Sequence, residues 1–123
     1  MLVLIMLFAL AVFGQTHAAV NTNSPAYVAA GHFIRGANCG NYLEVPPGQR
    51  WAVPHSTNDL GHMRAEGFDH VRIPVGWHHY TGPEPDFRLS PEIFAKVDLL
   101  VTNALALDLN VLINIHHFDS FTS

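Results

Sequence analysis

Three short apolar segments, separated by helical patterns, constrain the fold of this chain more than any other feature of the sequence. The segments span residues 32–38, 68–75 and 111–117, and each has the β-branched or aromatic content of a strand. Strands that alternate with helices are typical of a parallel sheet with crossover connections. The sequence therefore predicts an α/β protein in the order strand, helix, strand, helix, strand.

The first helix is predicted over residues 58–67, in the interval between the first two strands. Ser56 or Thr57 is placed to cap its N-terminus, and Gly67 supplies a C-terminal stop.

The second helix carries the clearest helical pattern in the chain. Ser90 is the predicted cap, Pro91 the first helical residue and Asn110 the predicted end. An apolar stripe at helical spacing is expected to face the core. It consists of Ile93, Val97, Leu100, Val101, Ala104 and Leu105.

The alternation of side chains along a strand separates an apolar face from a polar face. The apolar residues, which we expect to pack against the helices, are Val71, Ile73, Val75, Ile113 and Ile115. The polar residues, on the other face, are Asn38, Arg72, Asn114 and His116. These polar residues lie toward the carboxyl ends of the strands, where parallel sheets and barrels bind ligands.

A guanidinium on so apolar a strand is costly to bury unless a carboxylate meets it, so Arg72 is expected to hold an ionised carboxylate.

The charge balance argues against nucleic acid as a partner. Six Lys and Arg stand against ten Asp and Glu, for a formal net charge of -4, and no basic cluster is present. Neutralisation of phosphates would therefore contribute little affinity.

The first fourteen residues form an uninterrupted apolar run, followed by small residues at Thr16 and Ala18. We interpret residues 1–18 as a secretory signal peptide, because a membrane anchor needs about 20 apolar residues. The mature chain, residues 19–123, is then expected to be extracellular or periplasmic, without stable membrane association.

Cys39 is the single cysteine, so no internal disulfide is possible, and we interpret it as a small buried residue.

Two pairs of adjacent histidines, His78–His79 and His116–His117, raise the possibility of a metal site. Neighbours on a strand point to opposite faces, so such a pair converges on one ion only where the strand has ended. We therefore expect no metal and no cofactor, and interpret the histidines as hydrogen-bonding groups of a polar pocket. A metal-dependent α/β enzyme with His116 and His117 as ligands is the alternative.

Three aromatic residues lie in predicted loops, and two interpretations of them remain open. They are Trp51, Trp77 and Tyr80. Large rings in loops often complete a hydrophobic core. Flat rings beside Asn, His and Glu also suit a sugar, whose C–H face stacks on the ring while its hydroxyls form hydrogen bonds.

Three motifs together resemble glycoside hydrolase family 5, which includes cellulases, mannanases and β-glucanases. They are RGANCGNYLEVPPGQRW, GFDHVRIPVGWHHY and LNVLINIHHFD, which lie on or after the three predicted strands. The resemblance implies the N-terminal portion, about three β/α units, of a (β/α)8 TIM barrel. It also implies hydrolysis of β-linked polysaccharides of the cellulose or β-glucan type.

The resemblance also implies roles for individual residues. Arg72 matches the arginine that hydrogen-bonds the nucleophilic glutamate, and His116 matches the histidine at the sugar subsite of the cleavage point. Asn41 and Glu44 lie where members of the family bind sugar hydroxyls. The remaining substrate-binding candidates are Trp77, His78, His79 and His117.

The catalytic glutamates themselves have no match in the chain. Members of the family retain anomeric configuration with two glutamates roughly 5 Å apart, which the resemblance places after the fourth and seventh strands. A closed barrel takes about 250 residues. We therefore expect residues 19–123 to be part of a longer enzyme, monomeric at full length, and to be inactive alone. The alternative is a secreted carbohydrate-binding or scaffold protein without catalysis.

Overall fold

The computed structural model describes residues 20–117, which contain one parallel sheet of three strands in the order β1-β2-β3. The strands are β1 (Gly36–Asn38), β2 (His70–Val75) and β3 (Asn110–Ile115). The helices are α1 (Pro25–Ala30), α2 (Thr57–Ala65) and α3 (Pro91–Leu105), with a short 3-10 helix η1 (Trp77–Tyr80) after β2. The predicted parallel α/β order is confirmed. The predicted signal peptide, residues 1–18, lies outside the described residues.

The core lies between β2 and the helices α2 and α3. Val71, Ile73 and Val75 of β2 are fully buried on the face where their burial was predicted. They pack with Leu60 of α2 and with most of the predicted α3 stripe. The buried residues of that stripe are Ile93, Val97, Leu100 and Ala104. Leu105, which was predicted to join them, is exposed.

Cys39 follows β1 and is buried in the same core, as predicted. Its burial, with a smaller contribution from the negative charge of Asp59, raises the pKa of the thiol to about 11. The thiol is therefore protonated at neutral pH and is a packing group.

Both predicted helix starts are confirmed. Ser56 caps α2 in a capping box with Asp59, and Gly67 follows the helix with a positive φ of 84°. Ser90 caps α3 through the N–H of Glu92. The predicted end of α3 at Asn110 is wrong, because the helix ends at Leu105 and Asn110 begins β3.

The first strand is shorter than predicted, beginning at Gly36 and not at residue 32. The backbone N–H groups of Ile34 and Arg35 donate to the carboxylate of Asp69, each at 3.0 Å from Oδ2. A side chain thus occupies the donors that a longer ladder would have used. The second strand begins at His70, within the predicted segment 68–75.

The apolar face of β3 differs from the prediction. Ile113 and Ile115 align with Ile73 and Val75 in the parallel register, so they lie on the predicted face. They are nevertheless 48% and 74% exposed. Within residues 20–117, α2 and α3 cover this face of the sheet at β2. No described element covers the carboxyl-terminal half of β3.

Helix α1 was not predicted, although its start carries the same signal as α3. Ser24 accepts a hydrogen bond from the N–H of Tyr27, and Pro25 is the first helical residue. The helix has six residues and buries none of them.

Among the described residues, no helix is long and apolar enough to cross a membrane.

The caps of α1 and α3 provide a matched pair of variants. Ser90→Ala should lower the free energy of unfolding of the complete gene product by about 1 kcal/mol, because α3 is packed into the core. Ser24→Ala removes the equivalent bond from a helix that buries nothing, so it should leave that free energy unchanged. Denaturant titrations followed by circular dichroism measure both values. If both variants lowered the free energy of unfolding equally, the packing of α3 would not be the reason that its cap contributes to stability.

Candidate functional site

The polar face of the sheet holds a compact group, here called the arginine cluster, at the carboxyl ends of all three strands. It consists of Asn38 on β1, Arg72 on β2, Asn114 on β3 and His116 just after β3. Arg72 donates from Nη1 to Oδ1 of Asn38 at 2.7 Å and from Nη2 to Oδ1 of Asn114 at 2.6 Å. The predicted convergence of these four residues is therefore present in the structure.

Two amide oxygens hold the guanidinium of Arg72 at its two terminal nitrogens. Because a guanidinium is planar, two such contacts fix the direction of the group as well as its position. Among residues 20–117, no carboxylate forms an ion pair with Arg72. Arg72 is thus an oriented, partly exposed cation, and the carboxylate partner predicted from the sequence is not found among residues 20–117.

His116 contacts Arg72 directly, with 3.4 Å between Nη2 of Arg72 and Nδ1 of His116. Since a guanidinium can only donate, Nδ1 is the acceptor and Nε2 carries the proton of the neutral ring. Desolvation lowers the pKa of His116 below its usual 6.5, with further contributions from His117 and Arg72. The ring is therefore an N–H donor at neutral pH.

A second feature, here called the polar pocket, is a cavity of about 320 Å³ beside the arginine cluster. It brings together five residues that were predicted from the sequence as substrate-binding. They are Asn41, Glu44, His78, His79 and His117. Pro46 and Trp51 complete the lining.

Glu44 organises the loop that follows β1. Its Oε1 and Oε2 accept hydrogen bonds from the backbone N–H groups of Asn41 and Tyr42, respectively. Asn41 adopts a positive φ of 62°, and these bonds help to hold that conformation. Glu44 is thus a clamp for the loop, and each of its oxygens keeps lone-pair capacity for a ligand.

The approach of this loop to the end of β2 depends on Gly76. The N–H of Gly76 donates to the carbonyl oxygen of Leu43 at 3.1 Å. A Cβ at position 76 would lie 2.9 Å from both the carbonyl oxygen of Glu44 and Cδ2 of His79. The absence of a side chain therefore allows the two walls of the polar pocket to meet.

The histidine pairs are closer than strand alternation suggested. Strand β3 ends at Ile115, so His116 and His117 lie beyond it, and His117 has a positive φ of 50°. The ring centroids of His116 and His117 are 3.8 Å apart, as are those of His78 and His79. The alternation argument fails here because the extended backbone has ended. No group of three or more possible metal ligands occurs in the part of the chain that the structure describes.

Trp77 does not line the polar pocket. It packs against the hydrophobic core and lies 5.7 Å from Phe94, centroid to centroid. It also lines an apolar cleft of about 950 Å³ that extends to Phe87 and Ile115 on the helix side of the sheet. The exposed tryptophan of the polar pocket is instead Trp51, for which the sequence left both readings open.

Comparison with known proteins identifies the family of the chain. The family model for cellulases of glycosyl hydrolase family 5 matches residues 28–122. The chain belongs to glycosyl hydrolase family 5. Its resemblance to that family, inferred above from three motifs, is thereby confirmed.

Individual relatives give the same assignment to family 5. Cellulase/esterase CelE of Acetivibrio thermocellus is 34% identical over 67% of the chain. Solved structures of Thermotoga maritima Cel5A, in complexes with cellobiose and with mannotriose, are 34% and 35% identical. They cover 74% and 72% of the chain, with TM-scores of 0.69 and 0.68. The described strands and helices thus correspond to part of a family 5 TIM barrel.

The chain spans a minor share of the relatives that it matches. It covers 10% of CelE, and 30% and 29% of the two Cel5A structures. The described residues therefore correspond to about a third or less of those relatives.

The environment of His116 generates a pH prediction. In the complete gene product, NMR titration should give a pKa for His116 below 6.5, and His117→Ala should raise it because a neighbouring positive charge is removed. His32→Ala, at the opposite end of the sheet, should leave the value unchanged. A lowered pKa in the folded protein means that His116 binds a proton more readily in the unfolded state than in the folded state. The stability contributed by neutral His116 is thus present above pH 6.5 and lost as pH falls through the folded pKa. A pKa at or above 6.5 in the unmodified protein would contradict this environment.

Proposed function

We propose that the protein containing these residues is a secreted endoglucanase-type enzyme that cleaves O-glycosidic bonds in β-linked polysaccharides. The observation that carries this proposal is the arginine cluster, where a guanidinium of fixed direction lies beside a neutral histidine. The adjoining polar pocket supplies the hydrogen-bonding groups that a sugar chain requires. Membership of family 5 supports the reaction class.

The proposed reaction retains the configuration of the sugar in two steps. A glutamate attacks the anomeric carbon while a second glutamate protonates the departing glycosidic oxygen, so that a covalent glycosyl-enzyme forms. Water then attacks the same carbon, transfers its proton to the second glutamate, and releases the nucleophile. This mechanism needs two carboxylates roughly 5 Å apart.

The glutamates of the chain do not provide that pair. Glu44 lies in the polar pocket, but Glu66 caps the end of α2 and Glu92 pairs with Lys96 on α3. The fourth, Glu84, lies in the loop between β2 and α3. We therefore place the acid/base and the nucleophile outside these 123 residues. On this proposal, residues 19–123 are the N-terminal part of the barrel, and they would be inactive alone.

Arg72 is proposed to orient and ionise the nucleophilic glutamate. A carboxylate that accepts a hydrogen bond from a guanidinium has its pKa lowered by opposite charge and stays available as a nucleophile. The amides of Asn38 and Asn114 would act as positioning residues, because they contact Arg72 and set the direction of its fork. His116 would donate its Nε2 proton to a sugar hydroxyl at the cleavage point.

The substrate is proposed to be a β-1,4-linked glucan, with β-mannan as the second candidate. The relatives support this order, since cellulase and endoglucanase are the names that recur, and Cel5A was solved with both cellobiose and mannotriose. Asn41, Glu44, His78, His79 and His117 would contact hydroxyls of the bound chain. The apolar residues 1–14 would direct secretion, and the full-length enzyme would act as a monomer.

The role of Arg72 is tested by Arg72→Lys in the complete gene product. A lysine is a single point of charge and cannot hold both amide oxygens and a carboxylate in the same plane. We expect kcat on carboxymethylcellulose to fall by about 100-fold or more, the size of effect seen when one oriented donor is removed from an active site.

Arg88→Lys is the matched control, because Arg88 is exposed in the loop before α3. It should leave kcat unchanged, and denaturant titration should show that both variants are folded. An Arg72→Lys enzyme with unaltered kcat would exclude the proposed role. A complete product that binds glucans but turns over neither glucan nor mannan would instead favour the carbohydrate-binding protein without catalysis.

A further inference from the structure

The polar pocket contains one large apolar ring, that of Trp51. The other lining residues are a proline, an amide, a carboxylate and three imidazoles. Trp51 is 54% exposed, although an indole ring is a costly group to leave in water. The other tryptophan of the chain, Trp77, is packed against the core and does not line this pocket.

The backbone on both sides of Trp51 is held by hydrogen bonds. The N–H of Ala52 donates to the carbonyl of Gln49 at 3.3 Å, and the N–H of Val53 donates to the carbonyl of Asn41 at 2.9 Å. The second bond ties the tryptophan segment to the loop that Glu44 clamps. Trp51 is therefore presented to the pocket by a fixed backbone, which lowers the entropy cost of binding to it.

The polar pocket adjoins the arginine cluster at His117. His117 lines the pocket, and its ring lies 3.8 Å from that of His116, which contacts Arg72. A sugar chain with one unit at the arginine cluster would therefore reach the pocket with a neighbouring unit. Trp51 would meet that neighbouring unit and not the bond that is cleaved.

The chemistry of the lining matches a pyranose ring. Such a ring has apolar C–H groups on its faces and hydroxyls around its edge. An indole face can cover the first, while the spare lone pairs of Glu44 and the amide of Asn41 can bond the second. A purely apolar ligand would leave the spare lone pairs of Glu44 without compensation for lost water, which argues against it.

We propose that Trp51 is a sugar-stacking residue that binds a β-linked hexose unit next to the cleavage point. This inference rests on the proposed function for the identity of the polymer. It predicts that Trp51 contributes to binding and to substrate specificity but not to the chemical step.

The test measures both binding and turnover in the complete gene product. Isothermal titration with cellotetraose should show about tenfold weaker binding for Trp51→Ala and a smaller loss for Trp51→Phe, which keeps a flat ring. On soluble glucan, Trp51→Ala should raise KM with kcat within about twofold of the unmodified enzyme, the signature of uniform binding.

Phe87→Ala is the matched control, since Phe87 is 56% exposed but lines the apolar cleft and not the polar pocket. It should bind cellotetraose like the unmodified protein. Equal weakening by Phe87→Ala would overturn the proposal. Unchanged binding of cellotetraose by Trp51→Ala would also overturn it. If that variant only lowered the free energy of unfolding, Trp51 would be a packing residue.

The outcome separates this inference from the proposed function. Turnover by the unmodified enzyme, with the same Kd and KM in Trp51→Ala, would refute stacking and leave hydrolysis standing. Cellotetraose binding that is lost in Trp51→Ala, without turnover by the unmodified protein, would refute hydrolysis and support stacking. Failure of the unmodified protein to bind cellotetraose, cellobiose or mannotriose would refute the stacking role.

Discussion

The two hydrogen bonds of Arg72 are the interaction on which the rest of the candidate site depends. They join the guanidinium on β2 to amides on β1 and β3, so they require the parallel order and register of all three strands. The same bonds leave Nη2 beside His116, which sets the tautomer of that ring. A change of one residue in register would turn Arg72 toward the helices and dismantle the cluster.

The loop after β1 extends this frame into a binding surface. Glu44 clamps the backbone of Asn41 and Tyr42, and the carbonyl of Asn41 in turn accepts from Val53. The clamped loop is thereby tied to the segment that carries Trp51. The close contact at Gly76 brings this loop against the residues that follow β2. The site is consequently built from backbone hydrogen bonds as much as from side chains.

Residue patterns predicted the parts of the fold that depend on local chemistry. The caps at Ser56 and Ser90, the buried face of β2 and the convergence of Arg72 with Asn114 and His116 all follow from spacing and side-chain type. Two of the misses depend on tertiary surroundings that local patterns do not contain. Asp69 shortens β1 by taking two backbone donors, and Ile113 and Ile115 are exposed because no described element covers them. The sequence predicts similar loops for Trp77 and Trp51, so only their tertiary contacts could show which one lines the polar pocket.

We propose that Arg72 marks the point at which a glycosidic bond is cleaved. The most direct measurement is a crystal structure of the complete gene product after reaction with a 2-deoxy-2-fluoro-cellobioside, which traps a glycosyl-enzyme on a retaining nucleophile. We expect a sugar bonded to a glutamate whose carboxyl lies about 3 Å from the guanidinium of Arg72. A trapped sugar on a carboxylate out of reach of Arg72, or no trapped sugar in an active enzyme, would contradict it.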